Sequence, residues 1–294
     1  MTASTTPLTS QFVKSHGLGN DYLVVDPGNL SFTLTPDAVR LICHRNLGVG
    51  SDGILVVAPA DHGDFAMRVM NPDGSEAEKS GNGVRIFAKF LRDHGYTDRD
   101  RFVISTRGGA VPVELEHVDG RVAIVTGNMG PARFDPLESI AIDGEQFAVT
   151  SLSVGNPHCV IVVADVDAVD LTRLGPKVEH HPAFPNRTNV QFAQVVSRHE
   201  ARIVIWERGA GVTLASGSSS SAVAAALHRL GVVEREVTIT MPGGQLELRI
   251  DDAGDIWMRG PVEEICTGNF SGDLVKRIRG TTPPLAPPPG GRGE

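Results

Sequence analysis

Gly19-Asn20-Asp21-Tyr22, running into the apolar Leu23-Val24-Val25, returns 136 positions later as Gly155-Asn156-Pro157-His158, followed by Cys159-Val160-Ile161-Val162-Val163. A second landmark keeps the same spacing. Ser80-Gly81 opens a helical stretch that closes at Gly95, and Ser216-Gly217 opens one that closes at Gly231. The same shift lays Ile54-Leu55-Val56-Val57 over Val190-Gln191-Phe192-Ala193. Independent landmarks at one offset indicate an internal duplication.

Each half reads alike. Phe65-Ala66-Met67-Arg68-Val69-Met70 alternates as a strand and stops at the turn signal Asn71-Pro72-Asp73-Gly74. Residues 84–92 place Val84, Phe87, Ala88 and Leu91 at helical spacing, with a stop at His94-Gly95. In the second half Ala201-Arg202-Ile203-Val204-Ile205-Trp206 reads as a strand and residues 222–230 as an Ala-rich helix. Further short strands are expected at Val103, Val111, Val237 and Leu246. The expectation is an α/β (α+β) protein of two pseudo-symmetric lobes, each a curved, mostly antiparallel sheet wrapped on a central helix. The site would lie in the cleft between them. The first lobe would span residues 1–127 and the second 128–269. Residues 270–280 would return to the first lobe, and the Pro- and Gly-rich residues 281–294 would form a disordered tail.

Composition narrows the function. The chain has 294 residues, 40% of them hydrophobic, enough for two cores. No apolar run is long enough to cross a membrane, and the opening MTASTTPLTS lacks the features of a secretory signal, reading instead as a disordered leader. Net charge is −8, and no basic stripe marks a nucleic-acid footprint. A cytoplasmic protein with a small-molecule partner, and neither nucleic acid nor membrane, is expected. Cys43, Cys159 and Cys266 are far apart and odd in number, which favours buried structural thiols over disulfides or a zinc site. Leu214-Ala215-Ser216-Gly217-Ser218 lacks the glycines of a hydrolase elbow. Neither a phosphate-binding P-loop nor a His-Glu-x-x-His metal motif is present, and His180-His181 reads as loop.

Ser80 and Ser216 stand at helix starts, where unpaired backbone N–H groups and the helix dipole favour an anion, though plain N-capping fits each one alone. Two related lobes facing each other suit inversion at a carbon, which needs an acid on one face and a base on the other.

Several motifs in order resemble diaminopimelate epimerases. They are Lys14-Ser15-His16-Gly17-Leu18-Gly19-Asn20-Asp21, Asn71-Pro72-Asp73-Gly74-Ser75-Glu76-Ala77, Gly81-Asn82-Gly83-Val84-Arg85, Gly155-Asn156-Pro157-His158, Arg187-Thr188-Asn189-Val190 and Trp206-Glu207-Arg208-Gly209. The resemblance implies a cofactor-independent amino-acid epimerase of lysine and cell-wall biosynthesis, commonly a homodimer, with two cysteines exchanging the α-proton from opposite faces. It implies that Asn20, Asn71, Asn156, Asn189, Glu207 and Arg208 hold the substrate. Gly81-Asn82 and Gly217-Ser218 would cradle the reacting carboxylate. Both cysteine positions are serine here, Ser80 and Ser216. Three readings therefore stay open: an engineered pair, a branch with altered acid/base chemistry assisted by Lys79 or His158 (an isomerase or dehydratase among the choices), or a homologue that binds an amino acid without turning it over.

Overall fold

The computed structural model describes residues 10–280. The expected leader and tail, apart from Ser10, lie outside them. Helices α1 (Pro36–Cys43), α2 (Gly81–Asp93), α3 (Leu171–Glu179), α4 (Gly217–Arg229) and α5 (Gly272–Ile278) are set among many short strands.

In the first lobe Gln11–Gly17 and Asn20–Val25 form a hairpin. Its two-residue turn, Leu18-Gly19, has positive φ at both positions (58° and 86°), the geometry that matches strand twist. Asn20–Val25 runs parallel to Ile54–Ala58, which pairs antiparallel with Phe65–Met70. Phe65–Met70 pairs with Glu76–Ala77 and, in parallel, with Arg101–Thr106. The second lobe repeats this with Pro157–Val162, Asn189–Ser197, Glu200–Glu207, Gly211–Thr213 and Glu236–Met241.

The duplication holds to the residue. The pairs Leu23↔Ile54, Ile54↔Met70 and Val69↔Ala77 recur as Cys159↔Val190, Val190↔Trp206 and Ile205↔Thr213, each shifted by 136. A one-residue slip would turn every side chain to the other face, so identical register carries identical inward positions into both lobes.

Each sheet curls around one helix. Residues 81–91 of α2 are all buried, including Arg85 and Lys89. Lys89 is neutralised there by Asp93 at 2.8 Å. Helix α4 is sheathed by the other sheet, and the run Ala222, Ala224, Ala225, Ala226 lets the strands approach closely. Both helices begin earlier than the apolar period predicts, at the residue after the capping serine. The first turns are Gly- and Ser-rich, which hides them from a hydrophobic pattern.

Two ladders tie the lobes. Asp255–Pro261 pairs with Arg121–Pro131, and Glu263–Asn269 returns to pair with Gln11–Gly17. Phe270 then packs in the first lobe's outer core beside α5. One cysteine departs from expectation: Cys43 and Cys159 are buried, but Cys266 is exposed. It sits on the returning strand, most of whose residues face outward.

Helices α2 and α4 meet end to end at the lobe junction. A methyl on Gly217 would sit 2.8 Å from Met258 Sδ and 3.2 Å from Gly81 Cα. Only glycine allows this approach at both N-termini. Gly217→Ala is expected to force the ends apart and cost about 1–3 kcal/mol, read as a fall in Tm of several degrees together with weaker ligand binding.

Candidate functional site

A cavity of about 770 Å³ opens where the two helix N-termini meet. Among its lining residues are Asn20, Asn71, Lys79, Ser80, Gly81, Asn82, Asn156, Asn189, Glu207, Arg208, Ser216, Gly217 and Ser218. Of the residues singled out from sequence, His158 alone is not in the lining.

Most of these come in pairs across the duplication. Asn20 matches Asn156, Asn71 matches Glu207, Ser80 matches Ser216, and Asn82 matches Ser218. Strand-end positions and helix N-termini therefore converge from both lobes. The first N–H groups of α2 and α4 lack helical partners and carry the positive dipole ends. The N–H groups of Gly83 and Ser219 are already bonded to the capping serines, at 3.0 and 3.4 Å. Those of Gly81-Asn82 and Gly217-Ser218 remain to receive an anion.

The serine surroundings differ. Ser80 Oγ lies 3.2 Å from the hydroxyl of Tyr22. Burial, together with the charges of Glu207, Asp52 and Asp21, pushes the Tyr22 phenol up, so it stays protonated and can donate. Ser216 Oγ lies 3.4 Å from Ser218 Oγ, on the same cavity wall as the buried carboxylate of Glu207, whose pKa it influences. Burial raises the Glu207 pKa, Asp52 adds to the rise, and the Ser216 contact opposes it. One hydroxyl is thus set beside a phenol, and the other shares its side of the cavity with a carboxylate.

Of the two residues offered as bases from sequence, Lys79 lies on the cavity wall and His158 behind it. Lys79 Nζ donates to the carbonyl of Met129 at 2.8 Å, and burial lowers its pKa. His158 lies behind Asn156, fully buried, and burial drives it down to about 3, so it is neutral. Its Nε2 meets Asn156 Oδ1 at 2.8 Å and its Nδ1 meets Gln191 Nε2 at 3.1 Å. With the carbonyl oxygen of Asn156 held from behind, its NH₂ group remains for the cavity.

The Glu207-Arg208 turn is clamped. Asn189 Oδ1 accepts from the Arg208 N–H at 2.9 Å, and Asn189 Nδ2 donates to Pro157 O at 2.9 Å. Glu179, buried at the end of α3, accepts from Trp206 Nε1 at 2.7 Å and from the Gly209 N–H at 2.9 Å. Sequence reading passed over Glu179, Tyr22 and Asp52. Tyr22 had a signal, since it lies two residues after Asn20 on one strand face; Glu179 had none. Among the described residues no cluster of His, Cys, Asp or Glu is gathered to hold a metal ion, and no helix is long and apolar enough to cross a membrane.

This two-lobed fold is that of solved epimerase and isomerase structures. Solved structures with the same fold include a hydroxyproline epimerase from Agrobacterium vitis (TM-score 0.71, 17% identity, 88% of this chain and 90% of that one) and a PhzF-family phenazine biosynthesis protein from Bacillus anthracis (TM-score 0.68, 14% identity, 88% and 97%). At these identities the likeness shows the fold. The sequence goes further. A family model described as diaminopimelate epimerase matches residues 12–134 and 150–265. Diaminopimelate epimerase 2 of a Nostoc species is 45% identical over 275 residues, covering 90% of this chain and 96% of that one. The diaminopimelate epimerase of Moorella thermoacetica is 39% identical, covering 88% and 98%. The chain belongs to the diaminopimelate epimerase family.

Proposed function

We propose that the protein is a cofactor-independent epimerase of a diamino dicarboxylic acid, converting L,L-diaminopimelate to the meso form, with Ser80 and Ser216 on opposite faces of the reacting carbon. The observation that carries this reading is the pair of serine-capped helix N-termini meeting across one cavity. Family membership and the names of the relatives support the substrate.

The substrate's reacting carboxylate would lie against the free N–H groups of Gly81-Asn82 and Gly217-Ser218. There the helix dipoles favour the charge that the carboxylate gains as the α-carbon is deprotonated. Asn156 and Asn71 would bind the polar groups beside it, and Arg208 the distant carboxylate by two parallel hydrogen bonds. In the direction starting from Ser216, the α C–H bond breaks and its electron pair passes into the carboxylate system. The proton goes to Ser216 Oγ as the hydroxyl proton of Ser216 passes to Glu207. On the other face Ser80 delivers its proton to carbon as the electron pair returns there, and takes the hydroxyl proton of Tyr22. Tyr22 is reprotonated and Glu207 deprotonated through solvent in the open cavity before the next turnover. The reverse direction retraces these steps. The same reading makes the protein a cytoplasmic homodimer, to be checked by sedimentation.

Glu207 sets a pH dependence. It acts as a base only when ionised, and burial raises its pKa above the ordinary carboxylate value of about 4.3. Activity is therefore expected to fall as pH drops through that raised value, giving an acid limb above the normal carboxylate range. Glu207→Gln should abolish the limb and lower kcat by about 10²–10⁴. A limb that survives in Glu207→Gln would assign it to another group.

A further inference from the structure

Arg85 is fully buried one turn into α2, and no carboxylate pairs with it among the described residues. Its three contacts are neutral. Nε donates to Pro261 O at 3.3 Å, Nη2 to Asn82 Oδ1 at 2.9 Å, and Nη1 approaches Met258 Sδ at 3.5 Å. Burial alone lowers its pKa, to about 10, so it stays charged at neutral pH. An unpaired buried cation is among the least favourable arrangements in a folded protein. The fold nonetheless makes room for it: a methyl on Gly17 would come within 2.8 Å of Nη2, and one on Gly260 within 3.4 Å of Nε. The duplication does not explain it either, because its counterpart in α4 is Ser221, whose hydroxyl merely bonds the carbonyl of Gly217.

What the guanidinium touches points to the cavity. Asn82, held through its oxygen, donates from Nδ2 to Asn20 Oδ1 at 3.0 Å. Asn20 donates in turn to Asp52 Oδ2 at 2.9 Å, and Asp52 is held from outside by Arg45 at 2.6 Å. This row has one polarity, from the buried cation to an acid, and it fixes both cavity-lining amides. The second contact, Met258, is the side chain wedged against Gly81 and Gly217 where the helix N-termini meet. The cation thus stands one side chain behind the point where two positive dipole ends converge.

We propose that Arg85 is a positioning residue for the reaction: it orients the Asn82–Asn20 amides and places an unpaired positive charge behind the helix N-termini, whose counter-ion is the reacting carboxylate of the bound substrate. This rests on the epimerase reading above. It extends that reading by making the site selective for ligands that carry an anion at the reacting end and gain charge there. A carboxamide or ester at that position would leave the cation unanswered.

The test compares wild type, Arg85→Met and Arg85→Lys. Three quantities are measured: the Tm without ligand, calorimetric binding of L,L-diaminopimelate, and α-proton exchange separated into kcat and KM. Without ligand, Arg85→Met is expected to melt at or above the wild-type temperature, because an unpaired buried charge has been replaced by an apolar chain. Its affinity should fall about tenfold or more and its kcat about a hundredfold, the larger loss marking an interaction that strengthens in the transition state. Arg85→Lys should recover binding to within about tenfold of wild type, as the charge returns without the planar fork. A ligand-free Arg85→Met that melts well below wild type, or one that binds and exchanges like wild type, overturns the role. A wild-type protein that binds no diaminopimelate overturns the functional reading itself, and this role with it.

Discussion

Replacing Ser80 and Ser216 together by cysteine is expected to raise the rate of α-proton exchange by about a thousandfold or more. The Oγ positions already cap α2 and α4, with Gly83 N and Ser219 N bonded to them, so the sulfurs would enter a prepared place. A free thiol titrates near about 8.5 and falls further at a helix N-terminus, whereas an aliphatic hydroxyl is a far weaker acid. Each pKa unit is about 1.4 kcal/mol of base availability, and several units separate the two groups. In the proposed mechanism Glu207 and Tyr22 offset part of that gap. The single variants Ser80→Cys and Ser216→Cys should each gain much less, because both faces must carry a proton in every turnover and paired groups act non-additively. The check is deuterium incorporation under single-turnover conditions. A double variant no faster than wild type would mean that the serines are not on the proton path.

Removing the Arg208 side chain carries the second large effect. Arg208 lines the cavity, and its backbone is fixed by Asn189 while the neighbouring Gly209 is fixed by Glu179. The guanidinium is therefore delivered from an immobile turn and loses little freedom on binding. Arg208→Ala is expected to weaken diaminopimelate binding by about 10²–10³-fold, the range for losing a charged, bidentate contact. The change should appear mainly in KM, because the distant carboxylate does not change charge during the reaction. Arg208→Lys should restore little, since an ammonium cannot make two parallel bonds. Titration calorimetry and the KM of the exchange reaction read this directly. A loss under about threefold, by contrast, would place the second carboxylate elsewhere.

Much of this architecture is legible in the sequence because the duplication repeats rare residues rather than common ones. Gly-Asn before an apolar run, and Ser-Gly before a helix, are local chemical requirements: a tight turn and a capped N-terminus. They recur at one spacing because the strands between them must keep register. What escaped is what depends on packing across distance. Glu179 looks like any acidic residue at a helix end until Trp206 and Gly209 are brought to it. His158 follows a site asparagine and so reads as a site residue, yet strand alternation turns it inward, behind Asn156. Lys79 adjoins Ser80 in the chain and stays on the cavity wall, but which group its amine meets there, the Met129 carbonyl, depends on a contact 50 residues away. Arg85 belongs to a quoted motif, and its significance lies in having no carboxylate partner among the described residues, which no spacing reveals. Cys266 shows the limit from the other side: an apolar residue type on a strand says little about which face of that strand is covered.

The most direct measurement is α-proton exchange in D₂O, followed by NMR, with L,L-diaminopimelate and the native protein. Deuterium entering the α-position together with appearance of the meso isomer is the expected result, and it would show that hydroxyl groups at both helix N-termini sustain carbon-acid chemistry. Tight binding with no exchange, unchanged in the Ser80→Cys/Ser216→Cys protein, would contradict it and leave a protein that holds an amino acid without turning it over.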